Sequence, residues 1–162
     1  MTIVDKIIDS IKEAHGEDFP VYYHDEPTLN LMTSRMQFPC AVVRLLTQGR
    51  IVSEAGQQKE RVSAAVFFVE PMQFDFDAVS NETIIGRCKA RALAWQGVLS
   101  QSPSLLLLDE EPRTARLYDP YDDHITGFGI LADLQELEGW TDCPVAPYDF
   151  NADFNNDFLI AI

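Results

Sequence analysis

Residues 61–69 read Arg-Val-Ser-Ala-Ala-Val-Phe-Phe-Val, and residues 39–47 read Pro-Cys-Ala-Val-Val-Arg-Leu-Leu-Thr. Both stretches are rich in the β-branched and aliphatic residues that favour strands. In each of them apolar residues occupy both alternating sets of positions, so we expect strands that are buried on both faces over most of their length. The residues between them include Glu54 to Gln58, whose composition suits a hairpin loop.

Two amphipathic patterns predict helices. Residues 3–15 carry isoleucines at helical spacing with charged residues between them, and Gly16 is a natural stop. Residues 81–100 carry an apolar stripe along one side and end at a Gln-Ser-Pro-Ser segment. His15 falls at the C-terminal end of the first helix, where a positive charge is favoured.

A second hairpin is predicted in the C-terminal half of the chain. Its strands are residues 113–118 and 124–137, and the turn residues Asp-Pro-Tyr-Asp lie between them. The Gly127-Phe128-Gly129 segment of the second strand indicates a bulge or a close approach of another backbone. Shorter strands are expected at residues 19–23 and 105–108, and a loop at residues 28–37.

The order of these elements predicts the fold class. Strand pairs that alternate with single helices indicate an α+β fold, in which an antiparallel or mixed β-sheet built from two hairpins carries two main helices on one face. We expect residues 1–145 to form a single α+β domain and residues 146–162 an acidic aromatic C-terminal tail or arm.

The charge of the chain limits its partners. The 162 residues include 26 acidic and 12 basic side chains, for a formal net charge of −14, and residues 117–162 contain no basic side chain. Such a surface repels the nucleic-acid backbone, so we expect no direct sequence-specific binding to nucleic acid. Simple solubility explains the charge equally well.

Other features concern the location of the protein. No apolar run approaches the roughly 20 residues that cross a bilayer, and the N-terminus has no signal-peptide pattern, so we expect a cytoplasmic protein that does not bind membranes. Cys40 and Cys88 fall among apolar residues and are interpreted as small buried hydrophobic side chains. Unpaired cysteines are typical of a reducing compartment.

The densest group of possible metal ligands is Asp119, Asp122, Asp123 and His124. A hairpin turn explains these residues best, because the pattern of a calcium-binding loop is missing. The chain also lacks the known short motifs of nucleophilic, nucleotide-binding and zinc enzymes. We therefore expect no enzyme, no cofactor and no metal, with a metal protein or enzyme that uses this group as an alternative.

The C-terminal segment carries the strongest functional signal. Asp149-Phe150, Asp153-Phe154 and Asp157-Phe158 recur every four residues, and Ile160 follows them. One interpretation is a last element that folds onto its own core, although acids and asparagines fill cores poorly. The other is a peptide with spaced aromatic anchors that binds a groove of a neighbouring copy or of another protein, as an adaptor does. Phe150, Phe154, Phe158 and Ile160 are the predicted interface residues.

The layout of the chain resembles that of the tail-terminator and head–tail joining (minor tail) proteins of bacteriophages. The segments that carry the resemblance are Ile3–His15, Phe38–Leu46, Arg61–Pro71, Ile84–Leu99 and Ile125–Leu137. It is a resemblance of layout and texture without a signature motif, and the acidic tail departs from it. It implies a virion-assembly protein without catalytic residues that forms closed rings, commonly hexamers, with a tail or head component as a further partner.

Overall fold

The computed structural model of the protein describes residues 1–23, 36–46, 49–73, 79–119 and 124–137. The helices in these residues are α1 (Ile3–His15) and α2 (Val79–Leu99). The strands are β1 (Val21–Tyr23), β2 (Cys40–Leu45), β3 (Arg50–Glu54), β4 (Gln57–Pro71), β5 (Leu105–Leu107), β6 (Arg113–Asp119) and β7 (Ile125–Glu136).

The sheet is built around two long antiparallel strands, β4 and β7, which pair from Arg61–Gln135 at one end to Pro71–Ile125 at the other. β2 and β3 lie end to end along the outer edge of β4, and β6 and β5 lie end to end along the outer edge of β7. β1 runs parallel to β2, whereas the other described pairs are antiparallel. The α+β fold with a mixed sheet is therefore confirmed.

Both described helices pack on one face of the sheet. Successive side chains of a strand point to opposite faces, so every second residue of β4 and β7 contributes to the core beneath the helices. Fully burying an aliphatic or aromatic side chain there contributes roughly 1.5–3 kcal/mol. The largest buried members of this core are Ile3, Ile7, Ile11, Phe68, Trp95, Leu105, Ile130 and Leu134.

Local sequence sets both ends of α1. Thr2 caps the helix, because its hydroxyl accepts a hydrogen bond from the Asp5 N–H while the Asp5 carboxylate accepts one from the Thr2 N–H. The N–H and the hydroxyl of Thr2 both donate to the Asp5 carboxylate, and these two hydrogen bonds lower the pKa of Asp5. At the other end Gly16 has a φ of 102°, which a residue with a side chain rarely adopts, and its N–H donates to the Lys12 carbonyl.

A buried hydrogen bond joins the two helices. The Trp95 Nε1–H donates to the Ser10 hydroxyl at 2.9 Å, and that hydroxyl donates to the Ile7 carbonyl at 2.7 Å. Ser10 interrupts the apolar face of α1 and is nevertheless buried, because it satisfies the indole N–H of the largest side chain in the core.

The second predicted hairpin is confirmed as β6 and β7, and the Gly127–Gly129 segment is confirmed as a close approach. A Cβ atom on Gly129 would lie 2.5 Å from the Phe67 ring, and one on Gly127 would lie 2.2 Å from the Phe68 carbonyl oxygen. Glycine is required here because the neighbouring strand and its aromatic side chain occupy the space of a side chain.

The first hairpin differs from the prediction. β2 does pair with β4, but β3 lies between them in sequence and forms the hairpin with β4, whose first residue is Gln57. Ala55 and Gly56 both have positive φ, 51° and 79°, as the central residues of a type I′ turn do. The sequence did not predict β3 and the first residues of β4, because polar residues dominate them and neither apolar enrichment nor alternation is visible.

The sequence predicted that a positive charge would be favoured at His15, and this prediction is wrong. The ring lies 4.9 Å from the Phe19 ring and 5.2 Å from the Phe68 ring. Burial lowers the pKa of His15, and the Arg91 guanidinium adds to this, while a hydrogen bond with the Arg91 backbone opposes it. The attraction of a helix C-terminus for a cation is thus outweighed by the loss of water around the ring.

Candidate protein interfaces

A two-stranded arm extends beyond the rest of the sheet. β7 pairs with β4 only from Arg61 onward, so the four preceding residues of β4 pair with β3 alone among the described strands. At about 3.3 Å per residue the arm projects by roughly 13 Å. On it the side chain of Ile51 is 71% exposed, which is unusual for an isoleucine.

The base of the arm is held by a buried carboxylate. Glu136 is 2% exposed and accepts hydrogen bonds from the Lys6 ammonium at 2.7 Å and from the Glu60 N–H at 3.2 Å. Burial and the neighbouring Glu136 charge raise the pKa of Glu60, which the Lys6 charge partly offsets. A helix, the central sheet and the arm therefore meet at one charged site, which fixes the direction of the arm.

Two opposite edges of the sheet carry strands with one partner. Among the described residues β3 pairs only with β4, and β6 pairs only with β7. The outer N–H and C=O groups of such a strand can accept a further strand from another chain. Because the two edges differ, a strand added between them would join one copy head to tail with the next.

The face of the sheet opposite the helices is partly covered. Close to the N-terminal end of β7 it carries a second apolar cluster formed by Tyr22, Met36, Phe38, Cys40, Val42, Phe67, Val69, Leu117 and Ile125. The chain that leads into β2 supplies two of these side chains. Around the C-terminal end of β7 this face is more polar, and no described helix lies on it.

An ion cluster joins β4 to α2. Glu70 accepts hydrogen bonds from Arg87 and Arg91, each at 2.5 Å. Partial burial would raise the pKa of Glu70, but the two arginines outweigh it and the pKa is lowered. The cluster positions α2 on the sheet, and this contact explains it without a catalytic role.

The described cysteines are both buried, as expected. Burial raises the pKa of Cys40 to about 12 and that of Cys88 to about 11. A thiol with so high a pKa stays protonated near neutral pH, and the protonated form is a poor nucleophile and metal ligand. These two side chains are thus components of the core.

Most of the residues singled out in the sequence lie outside the described part of the chain. This holds for Phe150, Phe154, Phe158 and Ile160, and for Asp122 and Asp123. Asp119 ends β6, and His124, which precedes β7, is exposed and accepts a hydrogen bond from the Met72 N–H at its carbonyl. Among the described residues no group of three or more histidine, cysteine, aspartate or glutamate side chains is placed to hold a metal ion.

The sequence did not predict the arm, because the signal of its strands is weak. Ile51-Val52 and the Ala55-Gly56 turn are compatible with a hairpin, but the strand that follows begins Gln-Gln-Lys-Glu. Exposure of Ile51 depends on where β7 stops pairing, which is a tertiary property.

In the described residues no helix has the length and apolarity needed to span a membrane.

Comparison with known proteins finds structural likeness and no match in sequence. The chain matches no protein-family model and no curated protein sequence. One solved structure similar to it is a chain of the "Virion of native gene transfer agent (GTA) particle". The likeness covers 80% of this chain and 90% of that chain, at 12% sequence identity and a TM-score of 0.38.

Proposed function

We propose that the protein is a structural assembly protein of a phage-like particle, of the tail-terminator or head–tail connector kind. In this role it binds copies of itself and a tail or head component, acts without catalysis, and is cytoplasmic until it joins the virion. The observation that carries the proposal is the pair of unlike strand edges on one sheet, one of them a strand of the projecting arm. The layout of the sequence supports it independently.

The edges suit head-to-tail assembly. A strand edge of one copy that pairs with the opposite edge of the next generates a ring when the rotation between copies closes. The arm adds apolar contact, because burial of Ile51 in the neighbouring copy would contribute roughly 1.5–3 kcal/mol per interface. This combination of backbone pairing and one apolar anchor is a common mode of strand addition.

The charge is compatible with a ring that DNA passes through. Each copy has a formal net charge of −14, so a ring of copies presents a strongly negative surface. Such a surface repels the phosphate backbone and keeps DNA from adhering during passage.

The mass of the purified protein in solution tests the proposal. We expect a multiple of the 18.3 kDa chain mass at tens of micromolar protein, measured by light scattering or native mass spectrometry. Ile51→Asp should weaken the association about tenfold or more, because losing about 1.4 kcal/mol of contact changes a binding constant tenfold.

The matched control is Leu93→Asp. Leu93 is 52% exposed on α2, far in sequence from the arm, and its replacement introduces the same charge. It should leave the mass unchanged. A wild-type protein that is a monomer at these concentrations contradicts the proposal, and so does an assembly that both substitutions affect equally.

A further inference from the structure

On the face of the sheet opposite the helices, the half around the C-terminal end of β7 is basic. Residues at directly paired positions share a face, which places Arg44 and Arg113 in one row across the sheet and Arg50 and Arg61 in another. In this half of the face the acidic side chains on the strands are Asp133, bonded to the Ser63 hydroxyl, and Glu54, paired with Lys59 and Arg61. We call this surface the basic half; its basic residues are Arg44, Arg50, Lys59, Arg61 and Arg113.

Two arginines of the basic half have no ionic partner in the described part of the chain. Arg50 and Arg113 are both exposed and form no ion pair with a described residue. The chain as a whole is acidic, with 26 acidic and 12 basic side chains, and these two exposed arginines lie on one face of its sheet. An anionic partner outside the described residues would explain their position.

The basic half also has apolar contact sites between its arginines. Leu106 pairs with Gln135 in the row of Arg50 and is 41% exposed. Leu46 is 42% exposed, and its N–H donates to the Ser63 carbonyl. Cationic side chains interleaved with exposed leucines are complementary to a peptide that interleaves carboxylates with aromatic rings.

We propose that the basic half is the docking site of the chain's own C-terminal segment, residues 146–162. This segment pairs an aspartate with a phenylalanine three times and contains no basic residue. Its first and last paired aspartates are eight residues apart, which is about 12 Å in a helix and about 26 Å in a strand. Arg50 and Arg113 lie three strands and about four residues apart, or roughly 20 Å, within that range.

The end of the described chain favours its own segment over that of another copy. Leu137 follows Gln135 by two residues, and Gln135 pairs directly with Arg61 in the basic half. The 25 residues that follow can span up to about 80 Å, more than the face requires. A segment tethered at the edge of its site has an effective concentration in the millimolar range, which free copies do not reach at micromolar protein.

Protection of the segment from protease measures its docking in the full-length chain. Chymotrypsin cleavage after Phe150, Phe154 and Phe158 is followed by mass spectrometry, with a synthetic peptide of residues 146–162 as the unprotected reference. We expect the wild-type chain to be cut at least about tenfold more slowly than the peptide, because cleavage tracks the undocked fraction. Added NaCl should raise the rate, because it screens exposed ion pairs.

The charge reversal Arg50→Glu with Arg113→Glu should bring cleavage to within about twofold of the peptide rate. Neither arginine has a described ionic partner to lose, so the fold should be kept. The matched control is Lys12→Glu with Lys89→Glu, which makes the same change in charge on the helices. That variant should stay as protected as the wild type.

Three results would overturn the inference. The first is wild-type cleavage as fast as that of the peptide, which leaves the segment available to another protein. The second is protection that the arginine reversal does not reduce. The third is protection that disappears on about tenfold dilution, because an intrachain contact is independent of concentration and a second copy is then the occupant. The inference does not depend on assembly, so a monomeric mass leaves it intact.

Discussion

At the scale of single residues, His15 shows how burial changes a side chain's charge. The ring packs against Phe19 and Phe68, and among the described residues its Nε2 atom has no hydrogen-bond partner. Protonation would place a positive charge in this apolar site, close to the Arg91 guanidinium. The folded protein therefore favours the neutral ring, and its pKa is lower than in the unfolded chain.

The stability of the protein should fall as the pH decreases below about 6.5, the usual histidine pKa. There the unfolded chain binds a proton at His15 that the folded chain does not, so the contribution is complete above that pH and is lost as the pH falls through the lowered folded pKa. One such group gives a slope of at most about 1.4 kcal/mol per pH unit. Urea denaturation between neutral and mildly acidic pH measures it.

His15→Phe should flatten this pH dependence, because phenylalanine fits between the neighbouring rings and does not titrate. His124→Asn is the control, since His124 is exposed and asparagine tolerates its positive φ of 51°. This control should keep the wild-type dependence. The explanation is wrong if the two variants behave alike.

At the scale of elements, a glycine on a strand and a glycine on a helix differ in whether packing requires them. Gly127 lies where β4 passes so close that a Cβ atom would be 2.2 Å from the Phe68 carbonyl oxygen and 2.9 Å from a Val69 methyl group. Gly86 lies on the exposed side of α2 with nothing within 4 Å of its Cβ position. Only the first glycine is demanded by packing within the chain.

The same substitution should therefore have opposite effects at the two sites. Gly127→Ala should destabilise the protein by about 1–3 kcal/mol or more, because a backbone oxygen cannot move aside as a flexible side chain can. Gly86→Ala should stabilise it by about 0.5–1 kcal/mol, because alanine loses less entropy in a helix. Free energies of unfolding from urea denaturation compare them, and a Gly127→Ala protein as stable as the wild type contradicts the close approach.

At the scale of the whole molecule, charge opposes self-association. Copies with a net charge of −14 repel one another, so the proposed contacts through the arm and the strand edges would have to overcome this repulsion. The repulsion is long-ranged in dilute buffer and short-ranged at physiological salt. The extent of assembly should therefore depend on ionic strength, because the repulsion comes from the charge of the whole molecule.

We expect the proposed assembly to be weaker at low salt. Between about 0.01 M and about 0.15 M salt the Debye length shortens from about 30 Å to about 8 Å, which screens repulsion between copies. Sedimentation velocity at the two salt concentrations measures the change, with KCl and NaCl expected to act alike. Association that decreases with salt would instead indicate an interface held mainly by exposed ion pairs.

The sequence by itself determined the elements whose signal is local. The apolar runs of β2 and β4, the isoleucine spacing of α1 and the stripe of α2 each follow from the period of one secondary structure. The second hairpin was predictable from its turn residues, and the two helices on one face follow from the order of elements. Local signals suffice there because backbone geometry and a neighbouring cap decide the conformation.

The tertiary structure alone decided the candidate interface. The exposure of Ile51 depends on β7 ending its pairing at Arg61, and the two arginine rows depend on the register of four strands. The lowered pKa of His15 likewise depends on burial against Phe68, which is distant in sequence. Burial, register and edge position are set by contacts between distant segments, and the period of a single segment does not contain that information.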